Sequence, residues 1–310
     1  MEDDKKRLLE EVEKRVLLQC KDKKVSRLEL RQMVRMEIEC RQILQKEEEW
    51  KEISRQVNTF LQKFEREYNV KVLLAVESGS RAWGFESKNS DWDIRFIYVH
   101  KLEWYLSIEE KNDVIEQTYG DFDFAGWELR KALTLFKRSN TSFFEWLHSP
   151  RIYFADEEFI ERIRDAEEDF FNPKGAMYHY NRIYNKHNER YLQKSECSMK
   201  RFLYYLRGIL ACKWIEGNTS IPPVLFESLI EETVEEREIK AKIYKLISLK
   251  KDGKEHDLKV VDNELMEYAH KWADYYNDLV DIFRPKLNNG SSEALDSIMY
   301  DMVLKYSNNK

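Results

Sequence analysis

The chain has 310 residues, of which 35% are charged, 42% are hydrophobic and 13% are aromatic, and its formal net charge is −6. This length suits one large domain or two modest ones, and the aromatic content argues against general disorder. A mean hydropathy of −0.71 indicates a soluble protein. The negative charge does not favour a nonspecific nucleic-acid coat, although it allows a local basic groove.

Three absences in the sequence predict a cytoplasmic protein with no membrane association. No apolar run approaches the roughly 18–20 residues needed to span a bilayer, and no apolar signal segment follows the charged residues 1–6. The cysteines form no Cys-x-x-Cys pair, so they are predicted to be reduced, buried thiols rather than zinc ligands or disulfides. They are Cys20, Cys40, Cys197 and Cys212.

Residues 1–68 contain no glycine or proline and have the composition of helices. Apolar residues recur there every seven positions, and their neighbours broaden the stripe. The stripe could pair with another chain to give a homo-oligomer, but we favour packing against the rest of its own protein. The stripe comprises Ile43, Trp50, Val57 and Phe64, with Ile53, Phe60 and Leu61 beside them.

Two apolar runs, residues 70–76 and 92–99, are predicted to form strands, and a Gly79-Ser80 turn follows the first. Asp91 and Asp93 open the second strand and, being two apart, share a face. Two carboxylates this close repel one another unless a cation lies between them. By themselves, Asp-x-Asp is common at strand ends and Gly-Ser is usually just a turn.

Together these parts predict a metal–nucleotide site. Mg²⁺, or alternatively Mn²⁺, would bind the carboxylates and complete its shell with substrate phosphates. Gly79 lets the backbone approach a phosphate closely, and the Ser80 hydroxyl can donate to it.

A third acid is predicted near the turn at residues 119–121. Strands are expected at 113–118 and 122–125, and Asp121 and Asp123 share one face of the second. A two-metal phosphoryl-transfer site requires such a carboxylate on a neighbouring strand. The spacing alone is more typical of a solvated hairpin face carrying two acids.

The rest of the chain is predicted to be nearly all helix. An aromatic turn at 143–148 and an extended segment at 152–154 interrupt it. Breaks fall at Pro173, 217–223, 252–253 and 285–290. The helices are predicted at 127–139, 156–169, 173–195, 197–216, 224–250, 257–284 and 292–306.

Lys200, Tyr204 and Arg207 line one face of a predicted helix at positions i, i+4 and i+7. A row of cation, ring and cation suits a nucleotide, with the charges on phosphate and the ring on the base. The alternative is an ordinary amphipathic surface. His179 and His187 have no third ligand beside them, so we predict no metal site there. No P-loop, dinucleotide-binding or Gly-x-Ser-x-Gly motif is present.

Three motifs resemble those of the RlaP family, predicted nucleotidyltransferases of the DNA polymerase β superfamily associated with RNA repair. The resemblance extends over residues 70–230. The motifs are Glu-Ser-Gly-Ser-Arg-Ala-Trp-Gly-Phe (77–85), Ser-Asp-Trp-Asp-Ile-Arg-Phe-Ile-Tyr (90–98) and Gly-Trp-Glu-Leu-Arg-Lys-Ala-Leu (126–133). The resemblance implies a third acid just before Gly-Trp-Glu-Leu, which favours Asp123 over Asp121. It also implies that a helical domain beside the sheet supplies nucleotide-binding groups.

We therefore expect an α+β protein with a small mixed sheet. Its predicted domains are an N-terminal helical extension (1–68), a catalytic core (69–155) and a helical nucleotide-binding domain (156–310). The predicted catalytic and metal-binding residues are Asp91, Asp93 and Asp123. The predicted nucleotide-binding residues are Gly79, Ser80, Arg81, Arg95, Lys200, Tyr204 and Arg207.

The expected activity is Mg²⁺-dependent transfer of a nucleoside monophosphate from an NTP, most simply ATP, to an acceptor hydroxyl, with release of pyrophosphate. The family association suggests an RNA 3′ end as the acceptor. Transfer of AMP to a protein hydroxyl is an alternative within the same chemistry. A catalytically silent nucleotide-binding or scaffold protein is the alternative from another class, and the intact Gly-Ser and Asp-x-Asp motifs argue against it.

Overall fold

The computed structural model describes residues 27–188, 198–253, 261–285 and 290–307. The chain divides into two compact units, residues 1–60 and 61–310. In the first unit the described residues belong to one helix, α1 (Arg27–Tyr68), on which Val34 and Val57 are buried. This confirms the predicted helix for residues 27–68. Residues 1–26 and the side chains of Cys40 and Ile43 lie outside the description.

The described part of the second unit contains a mixed sheet, as predicted, and this sheet has five strands. Strand β2 pairs in parallel with β4, and the remaining neighbours are antiparallel. The spatial order is β3-β4-β2-β1-β5. The strands are β1 (Val70–Glu77), β2 (Trp92–His100), β3 (Val114–Tyr119), β4 (Phe122–Glu128) and β5 (Ile152–Ala155).

The C-terminal turn of α1 contributes to the core beneath this sheet. Phe64 is fully buried, stacks on Phe96 of β2 at a centroid distance of 5.8 Å and meets Phe124 of β4 edge-on at 5.2 Å. Strands β1 and β2, which are neighbours in the sheet, are buried on both faces along most of their length. Their near-continuous apolar runs reflect this double coverage.

Helices make up most of the remainder of the second unit. Helices α8 (Pro173–His187) and α9 (Met199–Asn218) pack closely at Gly208 of α9. A Cβ at position 208 would lie only 3.1 Å from Tyr184 Cβ and 3.3 Å from the Tyr180 carbonyl oxygen. The helices are α2 (Gly79–Ala82), α3 (Leu102–Tyr105), α4 (Leu129–Lys137), α5 (Thr141–Leu147), α6 (Glu157–Asp165), α7 (Glu167–Phe170), α8 (Pro173–His187), α9 (Met199–Asn218), α10 (Phe226–Thr233), α11 (Arg237–Lys251), α12 (Asn263–Ile282) and α13 (Ser292–Ser307).

Several predicted boundaries were wrong for local reasons. The aromatic segment that was predicted as a turn belongs to helix α5 up to Leu147, and the side chain of Asn140 caps this helix by accepting from Phe143 N. Strand β4 continues to Glu128, whose side chain then caps α4 by accepting from Lys131 N. The predicted helix 224–250 is two helices, α10 and α11, separated by residues 234–236. The predicted Gly79-Ser80 turn is a single helical turn.

The expected fold class is confirmed: the described chain is α+β, with a mixed sheet at its centre. Cys212 is a buried free thiol, and burial raises its pKa. The thiols of Cys20, Cys40 and Cys197 lie outside the described part. Among the residues described, no helix combines the length and apolar character needed to cross a membrane. The three-domain division stays a prediction.

Candidate active site

The turn after β1 lies directly beside Asp93, one of the predicted acids. Ser78 N donates to the Asp93 carbonyl oxygen at 2.8 Å, and Gly79 has a φ of +61°. A Cβ at position 79 would lie 2.2 Å from Asp93 Oδ2. Glycine is therefore required here both by the backbone conformation and by the carboxylate.

Two of the predicted acids are cross-strand neighbours. Asp93 of β2 and Asp123 of β4 are paired in register in the parallel ladder. Arg95 joins them: its Nη2 lies 3.2 Å from Asp93 Oδ1 and 2.9 Å from Asp123 Oδ2. Its Nη1 also donates to the Asp123 carbonyl oxygen at 3.1 Å. The guanidinium thus compensates the charge of both carboxylates.

The other two acids lie at the edge of this group. Asp91 is exposed and precedes β2 by one residue. Asp121 is also exposed, and its carbonyl oxygen accepts from Trp92 N. Asp123, which the resemblance favours as third acid, is therefore the register partner of Asp93, whereas Asp121 lies at the turn.

Burial is the main cause that raises the pKa of Asp93, and the carboxylates of Asp123 and Asp91 raise it further. Arg95 and Lys200 act in the opposite direction. The site therefore concentrates negative charge in a partly desolvated position, where a cation stabilises the ionised form.

These acids suit a cation whose coordination shell a ligand completes. Among the described residues, no three His, Cys, Asp or Glu side chains converge to hold a metal ion. The neighbouring Asp93 and Asp123 carboxylates offer the oxygen ligands that Mg²⁺ prefers, and Mg²⁺ commonly takes only one or two protein carboxylates together with substrate phosphates.

Glu77, at the end of β1, supports Asp93 and was missed by the sequence interpretation. Its side chain is fully buried, accepts from Asp93 N at 3.0 Å and also accepts from the Tyr153 hydroxyl. Burial raises the pKa of Glu77 to about 7, although its hydrogen bonds from Tyr153 and Asp93 oppose the shift. The sequence feature that could have identified Glu77 is its position as an acid at the end of an otherwise apolar strand.

Arg81, predicted to bind nucleotide, holds the loop that leads into β2. Its Nη2 donates to the Ser90 carbonyl oxygen at 2.7 Å and its Nε to that of Asp91 at 3.1 Å. The guanidinium also lies 3.6 Å from the centroid of the Trp92 ring. Ser80 is buried in the same turn. These contacts position Asp91 and the start of β2.

A cavity of about 380 Å³ opens onto this site. On the sheet side it is lined by Ser78, Gly79, Trp83, Asp93, Arg95 and Trp127. On the helix side it is lined by Ser142, Glu145 and Trp146 of α5, His179, Tyr180 and Ile183 of α8, and Tyr204, Arg207 and Gly208 of α9. Its volume lies within the range of about 300–1,000 Å³ typical of small-ligand sites.

The predicted helix-face trio surrounds the same region. Tyr204 and Arg207 line the cavity, and Tyr204 meets the Trp83 ring edge-on at 4.9 Å. Arg207 is buried and its Nη1 lies 3.0 Å from Glu145 Oε1. Lys200 is exposed, and its charge lowers the pKa of Asp93. Tyr204 and Arg207 therefore reach the cavity, whereas Lys200 acts on Asp93 through its charge.

The sequence interpretation assigned no nucleotide-binding role to several residues that line the cavity, namely Trp127 of β4, Glu145 and Trp146 of α5, and His179 of α8. Trp127 and Trp146 stack at a centroid distance of 3.8 Å. Glu145 accepts from the Tyr180 hydroxyl at 2.8 Å. Burial lowers the pKa of His179. A larger cavity of about 640 Å³ lies among residues 104–138, but none of the predicted site residues lines it.

The comparisons with known proteins identify the family of this chain. A family model matches residues 53–282 of the chain. The chain accordingly belongs to a nucleotidyltransferase family. That family is RlaP, the DNA polymerase β family of the RNA repair pathway.

Similar proteins were found by sequence and by structure comparison. The uncharacterized protein YcgL of Bacillus subtilis (strain 168) is 47% identical over 199 residues, which cover 64% of this chain and 76% of YcgL. A nucleotidyltransferase-like protein from Exiguobacterium sibiricum 255-15 aligns over 79% of each chain, with 10% identity and a TM-score of 0.29.

Proposed function

We propose that this protein transfers a nucleoside monophosphate from an NTP to an acceptor hydroxyl and releases pyrophosphate. The acceptor oxygen forms a bond to the α-phosphorus as the bond from that phosphorus to the oxygen bridging the β-phosphate breaks. The hydroxyl proton passes to the carboxylate of Asp123. The family membership supports nucleotidyl transfer, and the RNA repair association of the family supports an RNA 3′ end as acceptor.

One observation carries this proposal: Asp93 lies beside the backbone of Gly79, lines the cavity and is paired in register with Asp123. Two carboxylates on adjacent parallel strands can share a divalent cation, and the open backbone at Gly79 can approach a phosphate. The same cavity contains the aromatic and basic groups that a nucleotide requires.

The proposed roles follow from the positions of the side chains. Asp91, Asp93 and Asp123 would hold Mg²⁺ or Mn²⁺, which when bound lowers the pKa of the acceptor hydroxyl and neutralises charge on the triphosphate. The Gly79–Ser80 backbone would bind phosphate oxygens. Arg95 would release the carboxylates of Asp93 and Asp123 and bind the phosphates instead. Lys200 would bind a phosphate from the helix side.

The proposal is tested by incubating the pure protein with each α-³²P-labelled NTP, Mg²⁺ and a short RNA ending in a 3′-hydroxyl. We expect RNA extended by labelled nucleotide, and no extension of a matched RNA with a blocked 3′ end. A parallel incubation with cell lysate identifies a protein acceptor as label on a polypeptide. The absence of transfer from every NTP to RNA and lysate alike would contradict the proposal.

A further inference from the structure

The helix side of the cavity contains a buried ion pair that the transfer chemistry does not use. Arg207 of α9 and Glu145 of α5 expose only 5% and 15% of their side chains. Arg207 Nη1 and the Tyr180 hydroxyl both donate to the same oxygen, Glu145 Oε1, at 3.0 and 2.8 Å. The carboxylate is therefore held in one orientation from two sides.

Some hydrogen-bonding groups of this ion pair are unsatisfied. Within the described residues, Arg207 Nε and Nη2 are buried and have no hydrogen-bond partner. Glu145 Oε2 accepts no hydrogen bond in the same part of the chain. Buried donors left without partners cost free energy, so their presence calls for an explanation. Because both residues line the cavity, a ligand bound there can supply the missing partners.

Charge and surroundings favour a neutral aromatic ligand at this position. The carboxylate of Glu145 already balances the guanidinium of Arg207, so a triphosphate placed here would meet a negative charge. The Arg207 guanidinium lies 4.3 Å from the Trp83 ring centroid, and the stacked Trp127 and Trp146 rings form a second aromatic wall. Aromatic side chains of this kind stack on nucleobases.

We infer that Glu145 and Arg207 read the base of the bound NTP and select bases with an exocyclic amine at the edge farthest from the ribose. This inference rests on the proposed function. A pinned carboxylate oxygen can only accept, so the group facing Glu145 Oε2 must be an N–H donor. Adenine and cytosine carry an amine at that edge, next to a ring nitrogen that can accept from Arg207. Guanine and uracil carry a carbonyl oxygen there, which the carboxylate repels.

The test measures binding of uncleavable α,β-methylene analogues of the four NTPs to the full chain in Mg²⁺ by calorimetry. We expect the ATP and CTP analogues to bind about tenfold or more tightly than the GTP and UTP analogues, as one charge-assisted hydrogen bond provides. In Glu145→Gln the amide oxygen can still accept from Tyr180 and Arg207, but an NH₂ replaces Oε2. The preference should therefore vanish or reverse.

Glu231→Gln is the matched control. Glu231 also accepts from a cation and a tyrosine hydroxyl, Lys240 Nζ at 2.7 Å and Tyr244 at 2.5 Å, but it does not line the cavity. This variant should keep the wild-type preference. Should Glu145→Gln fail to fold, the wild-type protein still provides a test: the inosine analogue, which has a carbonyl in place of the adenine amine, should bind about tenfold less tightly than the adenosine analogue.

The outcomes separate the two proposals. Equal binding of all four analogues, equal binding of the adenosine and inosine analogues, or an unchanged preference in Glu145→Gln would overturn the base-reading role and leave nucleotidyl transfer intact. Binding of none of the analogues by the wild-type protein would overturn the proposed function, and the base-reading role with it.

Discussion

Arg95 lies between the carboxylates of Asp93 and Asp123 and supplies the positive charge that they require. The side chains of all three residues remain partly exposed, at 21%, 31% and 44%. Solvent therefore screens the interaction, and a divalent cation with its phosphates can compete with the guanidinium for the same oxygens. At the scale of single residues, the proposed function therefore requires a bound cation to replace the Arg95 guanidinium at these oxygens.

Replacing Arg95 by Gln should expose the repulsion between the two carboxylates. We expect the metal-free variant to lose about 1 kcal/mol of stability, the range of partly exposed ion pairs, and to recover it in Mg²⁺. Thermal unfolding with and without Mg²⁺ measures this, and the shift in Tm should be larger than in the wild type. Arg162→Gln removes an ion pair with Asp301 elsewhere and should show no added response. Equal Mg²⁺ shifts in Arg95→Gln and the wild type would contradict the account.

Glu77 makes stability depend on pH. Its pKa rises from 4.5 in the unfolded chain to about 7 in the folded protein, so the folded state binds the proton more tightly. The stability that this provides is complete below pH 4.5 and is lost as the pH rises through 7. The loss is roughly 3 kcal/mol.

Glu77→Gln should abolish this dependence, because the amide stays neutral and its oxygen can still accept from Asp93 N. In urea unfolding, we expect the variant to gain roughly 3 kcal/mol relative to the wild type between pH 4.5 and 7.5. Other titrating groups are common to both proteins and cancel in the difference. A stability difference that does not change with pH would show that Glu77 ionises normally.

At the scale of elements, the strand–turn–strand segment from β1 to β2 builds most of the sheet side of the site. Its placement depends on Gly79, whose backbone leaves no room for a side chain beside Asp93. Gly120, in the turn between β3 and β4, has nearly the same φ, +59°, but a Cβ there would meet nothing within 4 Å.

This pair of glycines permits a matched comparison. Alanine at either position should cost about 1–2 kcal/mol for the left-handed backbone. Gly79→Ala should in addition displace Asp93, destabilise the protein further and reduce nucleotide transfer at least tenfold, whereas Gly120→Ala should remain active. Urea unfolding and the transfer assay on both variants check this. Equal activities would show that the approach of Gly79 to Asp93 is not needed for transfer.

The sheet was predictable from sequence because its strands are short-range patterns. The apolar runs predicted β1 and β2. The two-residue repeat of a strand places the side chains of Asp93 and Arg95 on the same face. Helix α5 was not predictable in this way. Its seven residues are too few to show a helical period, and its cap at Asn140 is a single side chain. The break between α10 and α11 lies at Val234, Glu235 and Glu236, where no glycine or proline marks it.

The missed site residues depend on tertiary contacts. Glu145 acquires its role from Tyr180 and Arg207, which are 35 and 62 residues away along the chain. Trp127 and Trp146 stack although neither belongs to a motif containing the other. These side chains come into contact only when α5, α8 and α9 pack together, so no local sequence pattern predicts the contacts.

At the scale of the whole molecule, the second compact unit begins within α1. Leu61 and Phe64 are buried at that end of the helix, and Phe64 packs on the aromatic side chains beneath β2 and β4. The sheet therefore depends on residues that precede its first strand. No ligand-type cluster was found in the sequence before them.

Shortened chains should separate these contributions. A chain beginning at Glu47 should be soluble and active in transfer. One beginning at Val70 lacks Leu61 and Phe64, whose burial contributes about 1.5–3 kcal/mol each out of a typical total of about 5–15 kcal/mol, and should aggregate. Light scattering on both chains checks this and also shows whether residues before Glu47 mediate a homo-oligomer. A soluble, active chain beginning at Val70 would contradict the role given to Phe64.

The central claim is that Asp93 and Asp123 form the transfer site, and the most direct measurement compares three Asp→Asn variants in the labelled-NTP transfer assay. Asp93→Asn should abolish transfer, and Asp123→Asn should lose at least about a hundredfold while still binding NTP, the scale of a removed catalytic group. Asp121→Asn, at the exposed turn, should lose little. Circular dichroism confirms that each variant is folded. Near wild-type transfer by folded Asp93→Asn, or a more severe loss in Asp121→Asn than in Asp123→Asn, would contradict the assignment of the site.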